Sequence, residues 1–441
     1  MIINIKIDGF KSLSSFELGL TSGINILVGP NGSGKTNIIS FFEFLGFLQG
    51  TNVSNAISNA GGAGSVFRKI GTDTIQSSMI SSIVGSVKLG SKKYIYYEYD
   101  FEIKIHGNLD HIFYSHQRLK LKYRTVDTIK PKKFDSYDLD IERNVDRKLQ
   151  PVTKIRKLDR RRIKTRHFLY EEKLTKKEMI GELCEFSNDY MSNEDSLVEN
   201  IKYRIQSLFA IARDITGGKV FNIEPSKVRI PEDSAKNPGI LKDGSGLYAT
   251  LYAISKYDKK PRRRFFSRTE RNLVSDTSLA EIERYIKLAN DTIEKIDVFN
   301  DQFDNQLKVR IGIKGEKETA LLPLSSMSDG TIKWMSLITI LLTHKSIISI
   351  EEPENYLHPL MQSEIMRIMR STTENRRFIL MSTHSETLLN SAKPHEIIVV
   401  SFLNGSTVAH RPKNVDDINA EIQRTGFGLG YYYLAGNLED E

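Results

Sequence analysis

Cysteine is almost missing from this sequence. Its 441 residues include a single one, Cys184. A lone thiol cannot form an internal disulfide or supply a cysteine-rich zinc site. We therefore expect a protein of a reducing compartment, and the cytoplasm is the natural location.

Long apolar runs are missing as well. No stretch approaches the roughly 18 apolar residues that a membrane-spanning helix needs. The opening residues, MIINIKIDGF, alternate like a β-strand and do not form the apolar block of a signal peptide. With 39% hydrophobic and 27% charged residues, the composition is typical of a soluble globular protein. We expect no membrane partner.

Acidic residues are in the minority, and the formal net charge is +8. Most of this excess lies in two segments. Residues 143–166 hold eleven Lys or Arg against two Asp, and residues 256–268 hold seven against one Asp. Such segments suit the phosphate backbone of DNA or RNA, or an acidic protein. They also suit a solvated surface loop, and the sequence leaves this alternative open.

The apolar pattern predicts an α/β fold interrupted by an insertion. Short strand patterns fill residues 1–28, and residues 80–124 are rich in aromatic and β-branched residues, which predicts an antiparallel subsheet. Residues 126–310 combine helical spacing with the two basic segments, and α/β alternation returns over residues 311–441. We therefore expect two lobes, 1–125 and 311–441, separated by a helical and basic inserted region.

A glycine-rich turn between a strand and a helix gives the clearest chemical prediction. It fits the pattern G-x-x-x-x-G-K-[ST] without a mismatch. Its residues are Gly29, Pro30, Asn31, Gly32, Ser33, Gly34, Lys35 and Thr36. Glycines let backbone N–H groups wrap around phosphates at a helix N-terminus. Lys35 is expected to reach the β and γ phosphates of a nucleotide, and the Thr36 hydroxyl to bind Mg²⁺.

Two adjacent acids end an apolar strand later in the chain, in SIISIEEPE. Ligands of open α/β sheets bind at the carboxyl ends of strands. Glu351 is expected to hold Mg²⁺ and Glu352 to orient or activate the attacking water. Acids at this position also serve simply as the start of the next helix.

Two further elements complete the pattern. Ser328 and Gly330 stand at the start of the helix that leads into the acidic strand, where they form an anion-binding corner or an ordinary N-cap. His384 follows the apolar strand FILMS, where a histidine is either structural or placed to contact a γ phosphate or the attacking water.

In this order the four elements resemble the ABC-class P-loop ATPases. The strings EEPENYLHP and STHSETLL resemble the RecF/SMC-like branch, and the OLD-like ATPases in particular. The resemblance covers residues 1–125 and about 310–441. It implies an ABC-type ATPase head that uses ATP and Mg²⁺.

Each predicted residue has a role by this resemblance. Lys35 and Thr36 match the phosphate loop, and Ser328 and Gly330 match the signature that contacts the γ phosphate bound to the opposite subunit. Glu352 matches the catalytic acid and His384 the switch histidine. Glu351 departs from the usual aspartate, which puts the metal geometry in doubt. Gln76 is a candidate for the glutamine-bearing loop.

The resemblance also implies partners. We expect a homodimer or a higher homo-oligomer. OLD-like nucleases continue into a metal-binding nuclease domain, and the residues after His384 are too few for one. A separate effector, in the first place a nuclease, is therefore expected. Standalone ATPases of this kind resemble the sensor subunits of the Septu, PARIS and retron anti-phage systems. The alternative is a RecF-like ATPase that binds DNA directly in repair or maintenance; a transporter motor fits less well.

Overall fold

A computed structural model of the chain describes most of its residues. The described ranges are 1–71, 74–90, 93–107, 111–125, 136–163, 175–216, 218–259, 278–344, 347–373 and 378–435. The predicted basic segment 256–268 lies outside them apart from its first four residues, and so do the last three residues of segment 143–166. No helix in the described ranges is both long and apolar enough to cross a membrane.

The chain folds into two units. The first comprises Met1–Lys219 and Ile398–Arg411, and the second comprises Val220–Ile397 and Pro412–Glu441. The predicted phosphate loop lies in the first unit. The acid pair, the signature residues and His384 lie in the second. The mixed α/β architecture with an antiparallel subsheet confirms the predicted fold class.

A seven-stranded antiparallel sheet dominates the first unit, in the order β2-β1-β4-β5-β6-β7-β8. Its strands are β1 (Ile2–Asp8), β2 (Phe16–Gly19), β4 (Ser78–Gly90), β5 (Lys93–His106), β6 (His111–Arg124), β7 (Leu139–Val145) and β8 (Pro151–Leu158). In β5 every second residue from Ile95 to Ile103 is buried. This period of two is the pattern of a strand with one face on the core. Strands β7 and β8 extend this sheet, although the sequence pattern placed them in the inserted region.

Three further strands of the first unit carry the phosphate loop. They are β3 (Gly23–Val28), β16 (Ile397–Leu403) and β17 (Ser406–His410), in the order β17-β16-β3. The helices of this unit are α1 (Lys35–Gly50), α2 (Val53–Asn59), α3 (Ala63–Val66), α4 (Lys176–Asp189), α5 (Leu197–Ile201) and α6 (Leu208–Ile215). Helix α1 packs Phe41 and Phe44 against Phe10, with ring centroids 5.4 and 5.5 Å apart.

The second unit contains the strands that carry the acid pair and the histidine. Strands β14 (Ile348–Glu351) and β15 (Phe378–Ser382) are parallel, and β9 (Lys219–Phe221) flanks β14. A four-stranded antiparallel sheet is formed by β10 (Glu232–Asp233), β11 (Ile293–Asp301), β12 (Gln306–Ile313) and β13 (Ala320–Pro323).

The helices of the second unit include one that is buried almost throughout. They are α7 (Pro225–Val228), α8 (Leu247–Lys259), α9 (Leu279–Ala289), α10 (Asp329–Thr343), α11 (Pro359–Thr373), α12 (Glu386–Asn390), α13 (Val415–Thr425) and α14 (Leu429–Leu434). Helix α10 is buried at every position from Ile332 to Leu341. It is therefore a core helix, and its first turn carries the predicted signature.

Candidate functional site

The phosphate loop connects a buried strand to a helix, as its sequence predicts. Strand β3 is buried from Ile24 to Val28, and α1 begins at Lys35. The residue before the helix, Gly34, has a φ of 103°, and no side chain caps the helix. Backbone N–H groups of the first turn are the groups that bind anions at helix N-termini. The structure therefore has the strand, the glycine turn and the helix start that the sequence predicts, and no side chain occupies that helix start as a cap.

Close packing explains why two of the loop positions are glycine. A Cβ on Gly34 would collide with the Thr407 hydroxyl on β17, and a Cβ on Gly29 would collide with the Val400 carbonyl oxygen on β16. The left-handed φ of Gly34 is a second reason, because the backbone of any residue with a Cβ is strained in this conformation. Strands β16 and β17 thus pack directly against the loop.

The two buried polar side chains of the loop, Lys35 and Ser33, differ in their contacts. Lys35 is buried, and its Nζ donates to the Gly29 and Pro30 carbonyl oxygens at 2.8 and 3.0 Å. Ser33 is also buried, and its hydroxyl has no hydrogen-bond partner among the described residues. Buried hydroxyls are normally satisfied. A bound phosphate would provide the missing acceptor.

The two acids stand at the carboxyl end of β14. Glu351 is the last strand residue and pairs in register with Ser382 of β15. Glu352 follows with a left-handed φ of 43°, and its N–H donates to the Ser382 carbonyl oxygen at 3.0 Å. Its carboxylate accepts a hydrogen bond from the Asn355 amide at 2.9 Å. A left-handed conformation in a residue other than glycine marks a constrained position, of the kind found at functional sites.

A third acid, Glu354, links the acidic loop to the histidine strand. Its Oε1 accepts hydrogen bonds from the Thr383 hydroxyl and from the His384 backbone N–H, both at 2.8 Å. The His384 side chain is exposed. Glu354 thus holds the backbone that presents His384. The string EEPENYLHP contains this glutamate, but the sequence assigned it no role, because its partners lie about 30 positions further along the chain.

The signature residues begin α10 beside the same loop. The Ser328 hydroxyl caps the helix by accepting from the Thr331 N–H at 3.3 Å. A Cβ on Gly330 would approach the Tyr356 carbonyl oxygen to 2.7 Å, so glycine allows the acidic loop to lie against the helix start. Ser328, Gly330, Thr331, Trp334, Tyr356 and His358 are among the residues that line a pocket of about 300 Å³. Tyr356 of the loop after the acid pair thus lies against the signature, and Glu354 of the same loop holds the histidine strand.

The chain matches a known protein family over most of its length. Residues 24–390 match a family described as "AAA domain, putative AbiEii toxin, Type IV TA system". The chain belongs to this family.

Short segments of the chain are also similar to two groups of DNA-repair proteins. The DNA replication and repair protein RecF of Shewanella sp. (strain MR-4) is 44% identical over 45 residues, which are 10% of this chain and 12% of RecF. The DNA double-strand break repair Rad50 ATPase of Methanopyrus kandleri is 51% identical over 39 residues, 9% of this chain and 4% of Rad50. The chain thus matches about an eighth of RecF. Together with the family match, these segments support an ABC-class P-loop ATPase.

Among solved structures, the chain is similar to an Smc head bound to the C-winged helix domain of ScpA. The TM-score is 0.46 at 15% identity, over 93% of this chain and 97% of that one.

The available donors fit Mg²⁺, which prefers oxygen ligands and usually takes one or two from the protein and the rest from phosphates and water. Thr36 is an exposed residue in the first turn of α1, and Glu351 is half-buried at its strand end. The described residues contain no cluster of three or more His, Cys, Asp or Glu that would hold a metal without a nucleotide.

Two further residues that the sequence analysis singled out, Gln76 and Arg143, make contacts with other protein groups. Gln76 donates to the Asp8 carboxylate at 3.0 Å. Arg143, counted in the first basic segment, is buried. Its guanidinium donates to the carbonyl oxygens of Met191 and Ser192 at 2.8 and 2.9 Å, and burial lowers its pKa to about 10. Arg143 therefore stabilises the fold through buried hydrogen bonds. In contrast, Lys154, Lys157 and Arg161 of the same segment are exposed.

Proposed function

We propose that this chain is a cytoplasmic Mg²⁺-dependent ATPase whose protomers dimerise face to face around two ATP molecules. In each site the phosphate loop, residues 29–36, binds the nucleotide, and Lys35 neutralises its β and γ phosphates. Ser328 and Gly330 of the opposite protomer contact the γ phosphate. Thr36 and Glu351 hold Mg²⁺, which neutralises phosphate charge during the transfer.

The roles of the remaining residues follow from their chemistry. Glu352 accepts a proton from the attacking water or orients it, which requires a carboxylate close to the γ phosphate. His384, presented by Glu354, contacts the γ phosphate or the same water. ATP binding closes the dimer and hydrolysis reopens it, so nucleotide state selects between two arrangements.

The observation that carries the ATPase proposal is the convergence around Glu354. One carboxylate holds the histidine strand, in a loop whose neighbouring acids are Glu351 and Glu352 and whose Tyr356 lies against Gly330. The Glu354 bridge favours the functional interpretation of the acid pair and of His384 over a helix-start acid and a structural histidine. The role of Ser328 and Gly330 on the opposite protomer rests on the resemblance of their motif.

We further propose that the closed dimer regulates a separate effector, a nuclease, in bacterial anti-phage defence. The family description, which names a toxin and a type IV toxin–antitoxin system, is consistent with a defence role. The competing proposal is a RecF-like ATPase that binds DNA itself. The RecF and Rad50 segments and the exposed basic residues of strand β8 favour it.

The deciding experiment measures the mass of the purified Glu352→Gln variant with and without ATP and Mg²⁺, with the neighbouring gene co-expressed. We expect an ATP-dependent dimer or larger ring, because ATP is bound but not hydrolysed. A second polypeptide in that complex supports the effector proposal. A dimer without one favours direct DNA binding.

The matched control is Lys35→Ala, which removes the phosphate-loop cation. It is expected to abolish ATP binding and with it the ATP-dependent change in mass. A Glu352→Gln protein that binds ATP and stays monomeric would rule out the face-to-face dimer.

A further inference from the structure

One arginine outside the predicted motifs holds the signature loop, residues 325–329. Arg229 directly follows α7. Its Nε donates to the Ser325 carbonyl oxygen at 3.1 Å, and its Nη2 donates to the Met327 carbonyl oxygen at 2.7 Å. Its Nη1 pairs with the Asp329 carboxylate. Three nitrogens of one guanidinium therefore bind three successive points of the loop.

These contacts surround the residue predicted to meet the γ phosphate. Ser328 lies between Met327 and Asp329, both of which Arg229 holds. The planar guanidinium has its donors in a fixed fork, whereas a lysine ammonium cannot bind the same three acceptors together. Arg229 therefore fixes the direction of the chain where it enters α10.

The ion pair also changes the charge of the loop. Asp329 occupies the first turn of α10, where a carboxylate is stabilised by the helix dipole but repels an approaching phosphate. Pairing with Arg229 neutralises this carboxylate. The loop can then present the N–H groups of the helix start to an anion without opposing charge.

The backbone of Arg229 is itself held by the middle of the chain. Its N–H donates to the Pro225 carbonyl oxygen at 3.1 Å, and its own carbonyl oxygen accepts from the Tyr248 hydroxyl at 3.5 Å. Val228, the preceding residue, packs so closely on Gly244 that a Cβ there would lie 2.6 Å from its methyl group. The anchor of the signature loop thus belongs to residues 225–248, a part of the chain without a catalytic motif.

We propose that Arg229 is a positioning residue for the signature: it shapes and neutralises the loop so that Ser328 can engage the γ phosphate of an ATP bound to a second copy. This inference rests on the proposed face-to-face dimer. It assigns to residues 225–248 the role of holding Arg229 in place, through the Pro225 carbonyl oxygen and the Tyr248 hydroxyl.

The test compares Arg229→Lys with wild type, using ATP affinity, ATP-dependent dimerisation in the Glu352→Gln background, and kcat and KM for ATP. ATP affinity of the monomer should stay within about twofold, since the phosphate loop is untouched. Dimerisation should weaken at least about tenfold and kcat fall about 10- to 100-fold, as expected for a misplaced binding group. Arg118→Lys is the matched control, because Arg118 also pairs with a carboxylate, Asp140, on the antiparallel sheet of the first unit.

A second variant keeps the test decisive if Arg229→Lys folds poorly. Asp329→Asn leaves Arg229 in place and removes one charged acceptor, and dimerisation should fall by a smaller factor than in Arg229→Lys. The inference is overturned if Arg229→Lys, or Asp329→Asn where the lysine variant is unfolded, dimerises and turns over like wild type. If Glu352→Gln alone fails to dimerise with ATP, the proposed function fails instead.

Discussion

At the scale of single residues, two glycines of the phosphate loop should differ in the stability lost when alanine replaces them. One replacement causes only backbone strain, and the other also causes a steric clash. Gly32 and Gly34 both have positive φ values, 80° and 103°, but a Cβ would meet open space at Gly32 and the Thr407 hydroxyl at Gly34. Gly32→Ala should therefore carry only backbone strain, about 1–2 kcal/mol. Gly34→Ala should lose more stability and bind ATP more weakly.

Thermal unfolding and ATP titration of the two variants check this prediction. Gly61→Ala, which has a φ of 97° outside the loop, is a control for strain alone. Equal losses in Gly32→Ala and Gly34→Ala would mean that Thr407 does not limit the loop.

At the scale of elements, helix α10 contains a buried lysine that makes stability depend on pH. Lys333 is 1% exposed, and its Nζ donates to the Ile223 carbonyl oxygen at 3.2 Å. Burial lowers its pKa to about 8, against the opposing effect of Glu354 and Glu352. Because this pKa is below the ordinary value, the unfolded chain holds a proton that the folded chain releases above pH 8.

The free energy of unfolding should therefore rise with pH from about 8 towards the ordinary lysine pKa, by at most about 1.4 kcal/mol per pH unit for this one proton. Lys333→Met should remove this contribution, whereas Lys308→Met at an ion pair on β12 should keep it. Denaturant unfolding between pH 7.5 and 9.5 measures both slopes. The buried Tyr97 and Tyr99 have raised pKa values, and their contribution to the slope is the same in wild type and in both variants. Identical slopes in wild type and Lys333→Met would contradict the assignment.

The same elements show how far sequence predicts structure. The strand, loop and helix of the phosphate site follow from local glycine spacing and periodicity, and so does the aromatic sheet of β4 to β6. Strands β7 and β8 were hidden, because β8 exposes Lys154, Arg156 and Lys157 and because β7 buries an arginine, Arg143, beside Leu139 and Ile141. Lys333 could not be foreseen, since a lysine in an apolar helix ordinarily indicates the solvent-exposed face.

The residues that organise the site were the least predictable. Glu354, Arg229 and Thr407 act through partners far away in sequence, and no local pattern encodes such a pairing. Each motif was visible because its chemistry requires adjacent residues. The residues that hold the motifs were assigned no role, because the tertiary fold alone brings their hydrogen-bond and packing partners to them.

At the scale of the whole molecule, the exposed basic residues of β8 and the turn after it give a test of DNA binding. If the RecF-like proposal holds, replacing Lys154, Lys157 and Arg161 by alanine should weaken binding to duplex DNA. The slope of log K against log salt should fall by about 0.9 for each DNA phosphate that is no longer neutralised. The matched control replaces Lys6, Lys88 and Lys104, exposed lysines on β1, β4 and β5 of the same sheet. Equal slopes in the two triple variants would exclude this surface.

The support of the phosphate loop by β16 and β17 also has a consequence for synthesis on the ribosome. The loop and β3 emerge long before the strands that pack against them, which belong to Ile398–Arg411. A nascent chain therefore carries its phosphate loop throughout the synthesis of residues 37–397 without the strands that hold it in shape. Nucleotide binding should appear abruptly, as residues 398–411 leave the exit tunnel.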